Sequence, residues 1–589
     1  MAVFQNVKQI HLTSSEMEVL ESMFSQHERV VIKDEFLGGF GGVHVLWIRP
    51  IATNGAELPV VAKLGSIEII KKEWDAFQQF VAKKVPNIAR LYGELALSKN
   101  GEYAGICYPM AGDGRFYAES LASFAAHAPT RIVTYVLQNH LFASMEAMWQ
   151  DNSLYPEAPV AASFDPILPA NILVEATPKE STTPLAVSPQ SLQQQQHYRG
   201  VDIRLTGFIV EEIDVYKNEL TLNVPQGNDR LPKSFRIRVT AVSDPTPFTT
   251  GNPLPFPISG IIQDTRETYL QQWVTRLFTD INAAATPIKL PDLEPLPNPL
   301  AQLNNLLTQT RDVYIGPIHG DLNLQNILVE YDEQSQHIFL IDFAAAREDI
   351  VLHDLWRLET GIWLYLVPPL LQQAGLTLTE IPALNQAVHT AVSTANQPTF
   401  NPALEKAFYI LTTVRRQANQ YFVQKNKWSE YYNGLIPYLL GALKFKNLDH
   451  VPTAPLPKQI AFITAASLLQ ITQERPKIMF APPTTDAAPT SIPQTAVSQP
   501  GYAAQTTAAA PTGTTLTADP QTLHPLLVEH FTLADMEEMC FKLNIEPEDI
   551  PGKGRSAKAR EFIMHLKRHG RLEELPPLMQ AMRPRVNWQ

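Results

Sequence analysis

Residues Ile318 to Ala346 read IHGDLNLQNILVEYDEQSQHIFLIDFAAA. The stretch begins as a loop carrying His319, Gly320, Asp321 and Asn326, and the apolar run Ile327 to Val329 beyond it reads as a short strand. A polar turn leads to a second apolar strand, Ile338 to Ile341, which ends in Asp342 and Phe343. Two carboxylates and one carboxamide therefore sit at the ends of a hairpin, facing one cleft. Phosphoryl transfer needs such a set: a carboxylate to orient and deprotonate the attacking hydroxyl, and an amide oxygen with a second carboxylate to hold the Mg2+ that neutralises nucleotide phosphates. Asp321 is the candidate base, and Asn326 and Asp342 are the candidate metal ligands.

The pattern H-G-D-x-x-x-x-N followed by I-D-F resembles the catalytic and metal-binding loops of aminoglycoside and choline phosphotransferases, relatives of the protein kinases. The resemblance implies a two-lobed, protein-kinase-like α+β fold that uses ATP and Mg2+ to phosphorylate an acceptor the motif does not identify. Gly320 stands where protein kinases carry Arg, which argues against control by a phosphorylated activation loop pairing with that Arg. Ala344 replaces the Gly of D-F-G, as small-molecule phosphotransferases allow.

At 589 residues the chain is too long for one core, and 45% apolar residues suffice for several. Its net charge of −12 disfavours a nucleic-acid binder. Cys107 and Cys540 are the only cysteines, so neither a disulfide framework nor a cysteine-based metal site is available. The N-terminus lacks a basic segment followed by an apolar core, and no apolar run reaches membrane-spanning length, which points to a cytoplasmic protein without a membrane segment.

Residues 1–115 read as a small β-rich lobe. Gly38, Gly39, Gly41 and Gly42 lead into the apolar stretch Val43 to Ile48, an arrangement that lets backbone N–H groups approach phosphates. Pro59 to Leu64 is an apolar strand bearing Lys63, and Ile67 to Val81 is helical with Glu73 near its middle. By the same resemblance, Lys63 holds the nucleotide's phosphates and Glu73 orients it, with Glu68 as the alternative partner. Tyr103 to Met110 fits an inner strand running into a hinge beside the adenine ring.

Residues 116–475 read as the larger, helical lobe, with helices expected over 131–149, 265–283, 300–310, 356–373, 381–396, 401–423, 431–445 and 460–471. Residues 155–260 interrupt it. They are rich in Pro, Gln and Ser and offer β-like runs at 201–213, 215–224 and 235–242, so a small β domain is inserted here. Three runs are too few to define a barrel of the oligonucleotide-binding type. Beyond the hairpin, Asp349 to Trp356 resembles the segment in which an Asp fixes the catalytic loop. That resemblance implies structural support from Asp354, with Asp349 as the alternative, and from His319.

Residues 476–522 form a disordered linker. From Ala481 onward they are almost entirely Ala, Pro, Thr, Gln and Ser, with Asp486 and Asp519 as the only charges. A flexible coil of this length averages about 35–40 Å end to end, which tethers the C-terminal residues without packing them against the rest of the chain.

Residues 523–589 read as an all-α helical bundle. Thr532 is a candidate N-cap for Leu533 to Leu543, Ser556 for Ala557 to His569, and Gly570 a C-cap before a last helix over 572–582. Pro551 to Ser556 lacks the spacing and the preceding strand of a phosphate loop, so it reads as the start of a helix with a basic flank. Leu533, Met536, Met539, Leu543, Phe562, Ile563 and Leu566 recur at helical spacing and should form the core. Ten Lys or Arg residues balance ten Asp or Glu residues, leaving Lys553, Arg555, Lys558 and Arg560 as a basic edge.

The module resembles the bacterial effector-associated, death-like adaptor domains. Its pairing with a phosphotransferase-like domain is similar to proteins of bacterial conflict systems whose kinase-like part is a ternary complex associated domain. The resemblance implies one of two functions. One is an ATP-dependent phosphotransferase directed by an adaptor tail that binds a protein with a similar domain. The other is a nucleotide-binding pseudokinase scaffold without turnover. Together Lys63, Asp321, Asn326 and Asp342 favour the enzyme.

Overall fold

The computed structural model describes residues 2–473 apart from 36–42, 54, 57–58, 83, 86–90, 92, 110–118, 178–182, 193–197, 216, 226, 228–233, 332–335 and 395–397. Beyond these it describes residues 520–583 apart from 533–534, 537–538, 541–542, 544, 546–549, 551–554 and 569–570. The chain divides into two units, residues 1–331 with 336–476, and a second within residues 477–589. Among the described residues no helix is long and apolar enough to cross a membrane.

The small lobe is built on a sheet whose main path runs Val3–Asn6, Arg29–Glu35, His44–Ala52, Val60–Ser66, Tyr103–Pro109 and Ala96–Leu97. Strand alternation gives it two apolar faces. Val60, Ala62, Leu64 and Cys107 pack with Val19, Leu20 and Phe24 on one side. Ala104, Ile106 and Tyr108 pack with Ile70 on the other. Lys63 pairs in register with Ile106 and so shares that second side. The helix Ser14–Met23 was not expected from the sequence, yet its start carries a capping box in which Thr13 and Glu16 bond each other's backbone N–H. Helix Ile67–Ala76 continues as a π turn over Phe77–Val81, within the expected bounds.

In the large lobe the expected helix over 300–310 ends earlier, at Pro299–Thr308, and residues Thr310–Ile318 form a strand instead. The run TRDVYIGPI is β-branched and alternating, so pairing on both edges wins over helix propagation. Its partners are Ser153–Pro159 and Arg347–Ile350. Residues 153–159 therefore belong to the sheet behind the catalytic stretch, although composition had placed 155–159 in the insert. The expected hairpin forms from Ile327–Tyr331 and Gln336–Leu340, with Glu119–Ser120 as a third strand.

Among the described residues the insert proper forms a seven-stranded mixed sheet between Ile172 and Thr265, ordered Leu185–Val187, Asp202–Leu205, Ile258–Thr265, Ile172–Ala176, Ile237–Thr240, Glu219–Asn223 and Ile209–Asp214. The run expected over 201–213 is two strands, split where Gly207 takes φ +73°. The helices Leu121–His127, Thr130–Val136, Ala143–Trp149 and Arg266–Leu277 and, beyond the hairpin, Leu352–Gly361, Val367–Gln373, Glu380–Ser393, Glu405–Ala418, Trp428–Gly441 and Leu456–Gln473 bury one continuous core.

Within that core Arg415 and Glu359 are both fully buried, with Nη2 and Oε1 2.8 Å apart. The carboxylate also accepts from Tyr431 Oη at 2.9 Å and Trp363 Nε1 at 3.1 Å, and Arg415 Nη2 donates to Asn385 Oδ1 at 2.7 Å. A buried pair is costly to break and cheap to replace whole. Arg415→Met should lower the unfolding free energy by about 3–5 kcal/mol, and Glu359→Leu/Arg415→Met should recover part of it, as read from urea midpoints.

The second unit holds helices Pro520–His530, Arg555–Arg568 and Leu575–Met582. The first begins inside the stretch read as linker, and Arg555–Arg568 starts before Ser556, the candidate cap. Thr532 and Asp535 cap each other's backbone N–H groups. Met536, Met539, Leu543, Phe562, Ile563 and Leu566 are buried in one cluster, joined by Leu523, Leu527 and Phe531. Leu533, Gly570, Lys553 and most of the linker lie outside the described residues.

Candidate functional site

Lys63 stands on the central strand of the small lobe and reaches both lobes. Its Nζ lies 2.6 Å from Glu73 Oε2 and 3.1 Å from Asp342 Oδ1. Glu73 is 1% exposed, and its Oε1 accepts from Tyr108 Oη at 2.7 Å. Ile70, Glu73 and Phe77 share the buried face of their helix, whereas Glu68 in its first turn is exposed. Burial alone would lower the Lys63 pKa, but Glu73 and Asp342 outweigh it and raise it, so the amine stays charged.

Asp342 takes φ +64°, a left-handed backbone that Asp tolerates better than most residues. Ile341 N–H donates to Asn326 O at 3.1 Å, which ties the end of the hairpin to the loop that carries Asn326. Asn326 Nδ2 donates to Asp321 O at 2.9 Å and Oδ2 at 3.2 Å. No described group donates to Asn326 Oδ1, and Lys63 occupies one oxygen of Asp342. An amide oxygen and a carboxylate oxygen are thus open to a divalent ion. Mg2+ suits this set, since it takes one or two protein ligands and completes its shell with phosphate and water oxygens. Among the described residues no group of three or more His, Cys, Asp or Glu could hold a metal without such help.

Asp321 is held from both sides. Its Oδ1 accepts from Arg357 Nε at 2.6 Å, and its Oδ2 from Asn323 Nδ2 at 3.1 Å. Asn323 Oδ1 in turn accepts from the backbone N–H of Gln325 at 2.7 Å and of Asn326 at 3.2 Å. Arg357, Asn323 and Tyr108 were not singled out from the sequence. Arg357 lies beyond Asp354 on the same helix, and nothing in its local pattern says which way it points.

Asp354, fully buried, organises the loop. Its Oδ2 accepts from His319 N–H and from Trp149 Nε1, both at 2.9 Å, and its Oδ1 from Gly320 N–H at 2.9 Å. Asp349 instead pairs with Arg347 and accepts from Ser163 Oγ at 2.7 Å. The ring of His319 lies 3.1 Å from Ile341 O through Nε2, joining the loop to the residue that follows the second hairpin strand. Gly320 has φ +79°, and a Cβ there would lie 2.1 Å from Ala345 O. An Arg at this position is excluded by backbone, not only by the sequence. Gly38, Gly39, Gly41 and Gly42 lie outside the described residues.

Asp354→Ala strands two buried N–H donors, of His319 and Trp149, and the part-buried one of Gly320, at about 1–3 kcal/mol for each buried group. Its expected effect is a loss of at least about 3 kcal/mol in urea unfolding of the large lobe, followed by the tryptophan fluorescence to which Trp149 contributes.

The chain resembles known proteins in two regions. Residues 27–444 match the model of ternary complex associated domain 9, and residues 523–584 match that of effector-associated domain 7. Comparison with the curated proteins finds none that matches. Among solved structures, an amicoumacin kinase in complex with AMP-PNP and Ca2+ aligns with TM-score 0.32 and 11% identity, over 78% of this chain and 98% of its own. A thermostable mutant of an aminoglycoside phosphotransferase, in ternary complex with ADP and hygromycin B, gives 0.29 and 10% over 79% and 100%. A microcompartment-associated aminopropanol kinase gives 0.27 and 10% over 77% and 95%. With a family model spanning residues 27–444, the chain belongs to the ternary complex associated domain 9 family and carries an effector-associated domain 7 at its C-terminal side.

Proposed function

We propose that the chain is an ATP-dependent phosphotransferase of the aminoglycoside and choline kinase-like type. In this reading its helical tail directs it in a cytoplasmic bacterial conflict or signalling system. The observation that carries the reading is the Lys63 amine bridging Glu73 and Asp342, at 2.6 and 3.1 Å, beside the Asp321 and Asn326 loop. A lysine placed by a helix-borne Glu is what binds and aligns nucleotide phosphates in kinase-like sites. Asn326 Oδ1 and the second oxygen of Asp342 would hold Mg2+, whose charge offsets that of the phosphates. Asp321, oriented by Arg357 and Asn323, would take the proton of the acceptor hydroxyl. Lys63 stays protonated and supplies fixed positive charge on the phosphate side.

A second reading has a specific observation behind it. Arg357 Nε sits 2.6 Å from Asp321 Oδ1, and Asn323 and Asn326 donate to Oδ2 at 3.1 and 3.2 Å, so both oxygens that an acceptor hydroxyl would need are already engaged. A pseudokinase scaffold that binds nucleotide without turnover would tolerate that pairing.

Calorimetry should show ATP binding that needs Mg2+ and weakens by about tenfold or more in Asp342→Ala; equal affinity with and without the metal removes Asn326 and Asp342 as ligands. Asp321→Asn should leave ATP affinity nearly intact while turnover falls by about 10²-fold or more. If the parent protein transfers no phosphate from labelled ATP to itself or to any lysate component, the scaffold reading replaces the enzyme.

We infer further that the tail binds a protein carrying a like-folded domain. Its core is internal to the module, and Arg560 is exposed at its surface. Residues 515–589 should be helical on their own by circular dichroism. Lys558→Glu/Arg560→Glu should weaken capture of the partner by about tenfold at low salt and less at high salt, as rim charges do.

A further inference from the structure

The insert's sheet has a buried face and an open one. Ile172, Val174, Leu220, Leu222, Ile237 and Val239 are buried, so the period of two sends Leu173, Thr221 and Arg238 to the opposite face. The strand register aligns Asp264, Leu173, Arg238, Thr221 and Glu212 in one row across the sheet. This row lines a cavity of about 620 Å³, whose lining also includes Tyr269 and the segment 444–447. A cavity of this size holds a small molecule.

Its charges are unevenly placed. Lys217 pairs with Asp214, Arg238 with Glu219 and Arg236 with Glu211. Lys444 pairs with no carboxylate among the described residues, and its Nζ donates to Pro166 O and Leu168 O, each at 3.0 Å. Burial first, and then the guanidinium groups of Arg236, Arg266 and Arg238, push its pKa down to about 7, with Asp165 opposing. Asp165 is itself taken by Arg266, at 2.7 Å. Each of the three guanidinium groups has a carboxylate partner, whereas the half-buried amine has only carbonyls, so an anion entering the cavity would be the first to offset its charge.

We propose that this cavity binds a phosphate-bearing small molecule, with the phosphate at Lys444, Arg236 and Arg238 and the body against Tyr269, Phe445 and Leu173. The site uses none of the residues around Lys63, so it stands whether or not the chain transfers phosphate. Phe445 also lies under the guanidinium of Arg357, 5.7 Å from its ring centroid, so the occupant sits one side chain away from the group that holds Asp321.

The test is calorimetry on the full chain with pyrophosphate and with a nucleoside 5′-monophosphate, at low salt and without Mg2+. Binding should weaken by about tenfold or more in Arg238→Gln and in Lys444→Met, because each removes a charge-assisted contact. Lys63→Met should leave it unchanged. Above neutral pH, binding should take up a proton, visible as a heat that depends on the buffer, because a bound phosphate raises the Lys444 pKa. Arg238 is 48% exposed, so its variant reports on binding without disturbing the core. Failure of both probes to bind, affinity indifferent to Arg238→Gln, or loss in Lys63→Met in place of Lys444→Met overturns the proposal.

Discussion

The charged amine of Lys63 is the point on which the cleft depends. It is largely withdrawn from water, with 18% of its side chain exposed, and burial by itself would favour the neutral form. Two carboxylates reverse that preference. Glu73 is the permanent partner, buried and held by Tyr108. Asp342 is the more exposed one, 44% exposed and drawn from the other lobe. A low local dielectric makes the first contact strong, while partial exposure leaves the second open to competition from a metal or a phosphate. One residue thereby links the strand, the helix and the hairpin end.

The loop that bears Asp321 has a different kind of support. It is fixed by backbone hydrogen bonds to the fully buried Asp354, and by the absence of a side chain at Gly320. Burial raises the pKa of Asp354, and the donors from His319, Trp149 and Gly320 work against that rise. Because the loop's own donors are main-chain groups, they place its backbone and leave the Asp321 side chain to be aimed by Arg357 and Asn323. Backbone placement and side-chain aim are thus divided between different residues of one short segment.

The insert adds a second surface to this lobe. Its sheet is apolar on one side and carries both signs of charge on the other, so that face cannot serve as a core. The segment 444–447 meets it at the end of the long helix Trp428–Gly441 and its 3-10 continuation Ala442–Lys444, and there Lys444 is clamped on carbonyls at 3.0 Å. Interruption of the helical lobe by a sheet therefore creates a charged cavity that neither element would form alone.

The hairpin with Asp321, Asn326 and Asp342, the Lys-bearing strand, the helix of Glu73 and most helices of the large lobe were legible in the sequence, because each is a local pattern of apolar spacing and polar punctuation. Even the choice of Glu73 over Glu68 was latent there, since Ile70, Glu73 and Phe77 recur on one helical face. Tertiary structure decided what depends on distant neighbours. The strand Thr310–Ile318 exists because Ser153–Pro159 and Arg347–Ile350 pair with it, and the insert's strands form one sheet because Ile172–Ala176 bonds to both Ile237–Thr240 and Ile258–Thr265. The grip of Arg357 on Asp321 and the crowding of Arg236, Arg238 and Arg266 around Lys444 are likewise invisible along the chain. The sequence by itself determined which residues could do chemistry; which of them meet was settled by strand pairing and burial, because contacts between remote segments leave no period in the sequence.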